Sequence, residues 1–279
     1  MTLGLTDPPT TSPEQPDHPC PAPTRLGLAG PSVTPTGGGP YRDASVRATI
    51  SLDGEWGFRF CGDAVITQES AAGPAWRACV VPGPWQAQFA DLRERNGRAL
   101  YRRRFDLPAG WVGAPLFLRF GAVSYHARVR VNGRVAVEHE GGYLPFEADI
   151  GGLVRPGENE ISVEVTAPTD DAELYPEFPL SEIPFGKQSW YGPLGGIWQS
   201  VTLERRSADH VRAVQVLAGL ADGRVEIAVA LARPVPADRE LTLEVEGVDG
   251  GVVVASRTVA VVVGGQLATT TLVVPDPRA

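Results

Sequence analysis

Between Ala48 and Glu204 the apolar residues recur with period two, in short runs interrupted by glycine, proline, asparagine and aspartate. In ATISLDGEWGFRF, residues 48–60, Ile50 and Leu52, then Trp56, Phe58 and Phe60, alternate with other residues around the turn pair Asp53-Gly54. The same texture returns in ALYRRRFDLP, PLFLRFGAV, HARVRVNGRVAVEH, ENEISVEV and GIWQSVTLE. Successive side chains of a strand point to opposite faces, so each run predicts a strand with one face in a core. No stretch of a dozen residues carries an apolar stripe at the 3.6-residue period of a helix, and only FADLRERNGRA could hold a helical turn or two. These runs predict an all-β domain of roughly 160 residues, a size that suits a two-sheet jelly roll better than a small barrel.

The hairpin HARVRVNGRVAVEH lets the register be argued. A two-residue Asn132-Gly133 turn opposes Val131 to Arg134 and Arg130 to Val135, mixing charge and methyl groups on each face. A three-residue loop Val131-Asn132-Gly133, with Gly133 left-handed in a bulge, pairs Val129 with Val135 and Ala127 with Val137. It leaves Arg128, Arg130 and Arg134 on the other face, and this separation of faces favours the second register.

Past Arg206 the residues become smaller and the strands cleaner: HVRAVQVLAG, RVEIAVALA, RELTLEVEG, GVVVASRTVAVVVGG and QLATTTLVVP. Turns such as Asp222-Gly223 and Asp249-Gly250-Gly251 separate them at sandwich spacing. Ser207 to Ala279 is 73 residues, whereas an immunoglobulin-like sandwich takes about 100 residues and seven strands. A partial, truncated immunoglobulin-like β-sandwich is therefore expected, with the final PDPRA reading as a linker. At the other end, residues 1–42 hold ten prolines by position 40, a GGG run and few large apolar residues. Such a segment cannot bury enough surface to offset its ordering entropy. The expected organisation is a disordered Pro-rich tail over 1–42, a jelly roll over 43–206 and the partial sandwich over 207–279.

Composition removes several functions. A formal net charge of -8 argues against a phosphate-tracking surface and excludes nucleic acid as the expected partner. No apolar run approaches the roughly 18 residues of a membrane span, and the N-terminus lacks the basic and apolar regions of a secretory signal. A soluble, cytoplasmic protein with no membrane partner is the expectation. Cys20, Cys61 and Cys79 are an odd number with no C-x-x-C spacing, which points to small buried thiols rather than a disulfide framework or zinc site. His18, His126, His139 and His210 are scattered without a metal-binding spacing, no G-x-S-x-G elbow occurs, and GPLGG is not a phosphate cradle. No metal and no cofactor are expected.

Six motifs in order carry a resemblance: LDGEWGF (52–58), VPGPWQ (81–86), YRRRFDLP (101–108), VRVNGRVAVEHEGGYLPFEADI (129–150), PGENEISVEV (156–165) and YGPLGGIWQSVTLE (191–204). Together they resemble the N-terminal, galactose-binding-like jelly roll of glycoside hydrolase family 2, the family of β-galactosidases, β-glucuronidases and β-mannosidases. The likeness continues more weakly through the second region as the immunoglobulin-like domain that follows in that family. What it implies is a retaining glycosidase whose two glutamates sit on a (β/α)8 barrel beyond these domains; a barrel takes about 250 residues. Without a pair of carboxyl groups about 5 to 5.5 Å apart, this chain by itself is expected to be inactive, with no catalytic residue of its own. Its expected partners are a carbohydrate, in the context of the complete enzyme, and a catalytic-barrel partner chain. A stand-alone lectin-like module or a protein-interaction module are the alternatives.

The resemblance also selects candidate sugar contacts. In several family members the loop before the last jelly-roll strand reaches the barrel mouth, and here that loop is GKQSWYGP, residues 186–193. Lys187, the only lysine, and Gln188 offer donors for hydroxyls, while Trp190 or Tyr191 offers a face for a pyranose. A second loop, QAQFADLRERNGRA, adds Asn96. Two carboxylate arrangements are decoys: Asn159-Glu160, read as a turn residue followed by a solvent-facing strand residue, and Glu138 with Glu140, read as exposed hairpin charges. The acidic stretch from Asp170 to Glu182 is read as a solvated loop, and Trp56, Trp85, Tyr101 and Phe105 as core.

Overall fold

The computed structural model describes residues 48–66, 75–184, 194–219, 221–246 and 253–275. The chain divides into two compact units, Met1–Pro40 and Tyr41–Ala279, and every described residue lies in the second. The expected tail over 1–42 falls outside the described residues.

The first sandwich runs through β1 (Ala48–Ser51), β2 (Gly54–Gly62), β3 (Arg77–Val81), β4 (Gly97–Leu107), β5 (Leu116–Phe120), β6 (Val123–Ser124), β7 (His126–Val131), β8 (Arg134–Glu140), β9 (Phe146–Asp149), β10 (Gly157–Ala167), β11 (Gly196–Ile197) and β12 (Val201–Arg205). One sheet has the order β1-β12-β5-β9, the other β3-β2-β4-β10-β7-β8, and β11 pairs with β6. All these pairings are antiparallel. The fold is thus the expected all-β sandwich, and the period-two pattern is the reason. In β4 the inward residues Ala99, Tyr101, Phe105 and Leu107 are buried, while Arg102 and Arg104 face out. The helical content of the 85–98 stretch is one turn, Trp85–Gln88, and a 3-10 turn, Ala90–Leu92.

Aromatic residues dominate this core. Phe58 stacks on Phe89 at 4.9 Å, meets Tyr101 edge-on at 5.1 Å and lies 6.1 Å from Trp85. Trp56, Trp85 and Tyr101 are each at most 1 % exposed, and Phe105 is 9 % exposed, as the alternation predicts. The polar ends of the tryptophans find carbonyls: Trp56 Nε1 donates to Leu52 O and Trp85 Nε1 to Arg95 O, both at 2.8 Å.

The hairpin register differs from the expected one. Asn132 (φ 49°) and Gly133 (φ 80°) form a two-residue turn, with Val131 opposite Arg134 and Arg130 opposite Val135. A register shift then places Val129 opposite Val137 and Ala127 opposite His139. Tertiary bonds hold Asn132 in the left-handed region. Its Nδ2 donates to Leu153 O and to Asn159 Oδ1, and its Oδ1 accepts from Glu160 N. The shift restores the apolar face that a plain two-residue hairpin would have mixed. Asn159 is likewise no surface turn residue: it sits in β10, fully buried, donating to Arg155 O and Gly157 O.

The second sandwich contains β13 (Val211–Ala218), β14 (Arg224–Leu231), β15 (Arg239–Glu246), β16 (Val253–Val261) and β17 (Leu267–Val273). They form sheets β13-β14-β17 and β15-β16. Its buried residues are Ile227, Val229, Leu231, Val235, Val261, Ala268 and Leu272. Between the sandwiches, Arg206 bonds both Glu147 and Glu204 and lies 4.1 Å over the Phe117 ring, which His210 meets edge-on at 5.2 Å.

Candidate functional site

The pair Gly195-Gly196 enters β11 at a corner that admits no side chain. A Cβ on Gly195 would lie 2.2 Å from the Trp85 ring and 2.7 Å from Ala167 Cβ. Gly196 adopts φ 125°, and a Cβ there would come within 2.6 Å of the Tyr101 hydroxyl. Backbone bonds clamp the corner: Trp85 N donates to Gly195 O at 3.1 Å and Gly83 N to Ile197 O at 2.9 Å. The glycines therefore let the backbone lie directly on the core aromatics. Ile197 is fully buried, and Trp198, half-buried, donates from Nε1 to Gly142 O at 2.7 Å.

Gln86 is the residue that sequence reasoning missed. It is 8 % exposed, with its Oε1 accepting from Gly195 N at 3.1 Å. Its Nε2 donates to Asn96 Oδ1 at 2.9 Å and to Arg95 O at 3.2 Å. Asn96 in turn donates to Pro168 O at 3.3 Å. One buried amide thus joins the Asn96 loop to the segment that follows residues 186–193. Its position in VPGPWQ was visible, but nothing in a linear pattern says which distant backbone an amide will reach. Lys187, Gln188, Trp190 and Tyr191 lie outside the described residues, as does Cys20.

The thiols, the Tyr101 phenol and the paired-carboxylate candidates are held in structural contacts. Burial raises the thiol pKa of Cys61, and that of Cys79 to about 12, so both stay protonated and weakly nucleophilic. Burial also raises the Tyr101 phenol well above its ordinary value. Glu160 pairs with Arg104 at 3.5 Å, Glu138 with Arg128 at 2.7 Å, and Glu140 accepts from the Tyr125 hydroxyl at 2.8 Å. The decoy carboxylates therefore belong to ion pairs and surface bonds. Among the described residues no group of His, Cys, Asp and Glu could hold a metal ion, and no helix is long and apolar enough to cross a membrane.

Comparison with known proteins places these elements. Residues 49–206 match the family described as glycosyl hydrolases family 2, sugar binding domain. The β-glucuronidase of Paenibacillus borealis is 33 % identical over 135 residues, covering 44 % of this chain and 22 % of that protein. The human β-glucuronidase is 35 % identical over 150 residues, 47 % of this chain and 22 % of the relative. The chain thus spans about a fifth of the length of these curated relatives. In fold it is similar to the Bifidobacterium dentium β-glucuronidase solved with coumarin-3-O-glucuronide, with a TM-score of 0.64 and 24 % identity over 84 % of this chain and 43 % of that one.

Proposed function

The chain belongs to the family 2 glycosyl hydrolase sugar-binding domains, and on that premise we propose that it is the non-catalytic N-terminal portion of a β-glycosidase. In the complete enzyme it scaffolds a catalytic barrel, carried on the same or a partner chain, and shapes the sugar pocket. The observation that carries this reading is the coincidence of the family match over residues 49–206 with the whole first sandwich, while the matched stretch covers only 22 % of each of the two curated relatives. Lys187, Gln188, Trp190 and Tyr191 are the proposed sugar contacts, with Asn96 held beside their downstream flank through Gln86. The role requires neither cofactor nor metal, and its proposed location is the cytoplasm.

The exposed strand β13, where Val214 is 56 % and Leu217 59 % exposed, favours a second reading, a protein-interaction module. Turnover of 4-nitrophenyl β-D-glucuronide and 4-nitrophenyl β-D-galactoside by the purified chain tests the first reading. No release of nitrophenol above the buffer rate is expected, and steady turnover that survives further purification would overturn it.

A further inference from the structure

Strand β13 is exposed at every position from Val211 to Ala218. It pairs with β14 along one edge, and among the described residues no strand lies along the other. Val214 and Val216 stand opposite the buried Val229 and Ile227, so they face the same side as the second core. They are nevertheless 56 % and 54 % exposed. The opposing sheet has two strands, and it packs Leu241, Leu243 and Val245 against the buried cluster while leaving β13 uncovered.

An unpaired strand edge is a template for another strand, and proteins blunt such edges with charges, short length or cover. The other edges of this chain are blunted in those ways. Gln88 caps β3: its Oε1 accepts from Val80 N at 2.6 Å and its Nε2 donates to Val80 O at 2.9 Å. β8 carries Arg134, Glu138 and Glu140, β9 carries Glu147 and Asp149, and β15 carries Arg239, Glu240 and Glu244. Arg257 of β16 donates to Thr271 O of β17 at 3.2 Å, and β1 is four residues long. From Ala213 to Ala218, by contrast, β13 reads AVQVLA, with neither a charge nor a proline.

This edge is its own complement. Antiparallel pairing about a two-fold axis at Gln215 sets Val214 opposite Val216 of a second copy and Ala213 opposite its Leu217, so apolar groups of one face meet their like. Arg212 falls opposite Ala218, at a register shift between Val211 and Ala213 where the regular edge ends. Ala218 precedes Gly219, whose Cβ position lies 2.6 Å from Asp222 Oδ1. Each Arg212 is thereby brought to the turn that holds an Asp222 carboxylate of the other copy. An axis at Val214 would instead set Arg212 against Val216.

We propose that the chain self-associates through β13, two copies joining their three-stranded sheets into one continuous sheet about a two-fold axis at Gln215. So short a pairing buries less than the standard interface of about 1,600 Å², so the dimer is weak and reversible. The assignment does not rest on the scaffolding role or on the presence of a barrel, and its failure would leave the turnover test untouched. Sedimentation velocity of the full chain, from low micromolar to sub-millimolar concentration, tests it. The weight-average mass should climb toward that of two chains. Ala213→Lys with Leu217→Lys sets lysines opposite one another across the axis and should weaken association about tenfold or more. The melting temperature at low concentration should not change, because both side chains are exposed. In a Cys20→Ser, Cys61→Ser background, Gln215→Cys should form an intermolecular disulfide with oxidised glutathione, since opposed Cα atoms stand about 4.5 to 5.5 Å apart. Leu217→Cys should not, its two copies lying about 13 Å apart along the strands. A monomer at every concentration, undiminished association of the double lysine variant, or equal cross-linking at 215 and 217 would each overturn the assignment.

Discussion

The two sandwiches are built from the same period-two pattern but from different residues. The first holds every described aromatic residue from Trp56 to Trp198, and its core interlocks Trp56, Phe58, Trp85, Tyr101 and Phe120. The second has no aromatic residue after Ser207, and its core consists of Ile, Val, Leu and Ala. Large planar side chains bury about 150 to 250 Å² each, so the first sandwich gains stability from few residues and can spare loops for other work. The second must rely on many small contacts, and β13 stays exposed at each position. The lesson is that alternation specifies a strand, while side-chain size sets how much a given strand stabilises.

That contrast yields three measurements. The largest effect is expected for Trp56→Ala, which empties a fully packed site and removes the Nε1 bond to Leu52 O. A loss of about 3 to 5 kcal/mol is expected, read as a lower denaturant midpoint of tryptophan fluorescence. A midpoint equal to the parent's would break the assignment of Trp56 to the core. Next is Val229→Ala, 2 % exposed in the second core, at about 2 kcal/mol. Because all tryptophans precede Ser207, this variant should shift part of the far-ultraviolet dichroism transition and leave the fluorescence midpoint in place. A shift of both together would show the two sandwiches unfolding as one unit.

The smallest effect concerns the joint. The hydrogen bond from Arg206 holds the Glu147 carboxyl below its ordinary value. A depressed folded-state pKa contributes stability that is present above the unfolded value, about 4.3, and is lost as pH falls through the folded one. Glu147 is 40 % exposed, so the contribution is at most about 1 kcal/mol. Glu147→Gln should therefore lower stability slightly at neutral pH and converge with the parent in acid. A gap that widens on acidification would have the wrong sign for this pair.

For the site, the sequence pointed to two loops without their relation. Asn96 and the segment after residue 193 are about a hundred positions apart, and Gln86 joins them because the core stacks Trp85 beneath Gly195. The GPLGG run stood out in the sequence, but the ring and hydroxyl that Gly195 and Gly196 lie against did not. The hairpin shows the same division, since local face separation argued for a three-residue loop. The bonds of Asn132 to Leu153 and Asn159 imposed the two-residue turn.

By itself the sequence determined the all-β class, the strands, the change of texture after Arg206 and the identity of the aromatic core, because periodicity and side-chain size act over a few residues. Only the tertiary structure decided the hairpin register, the burial of Asn159 and the Gln86 link. Each of those depends on polar groups satisfying partners far away in the chain, and a buried amide or carboxylate takes whichever partner the packed sheets bring within about 3 Å.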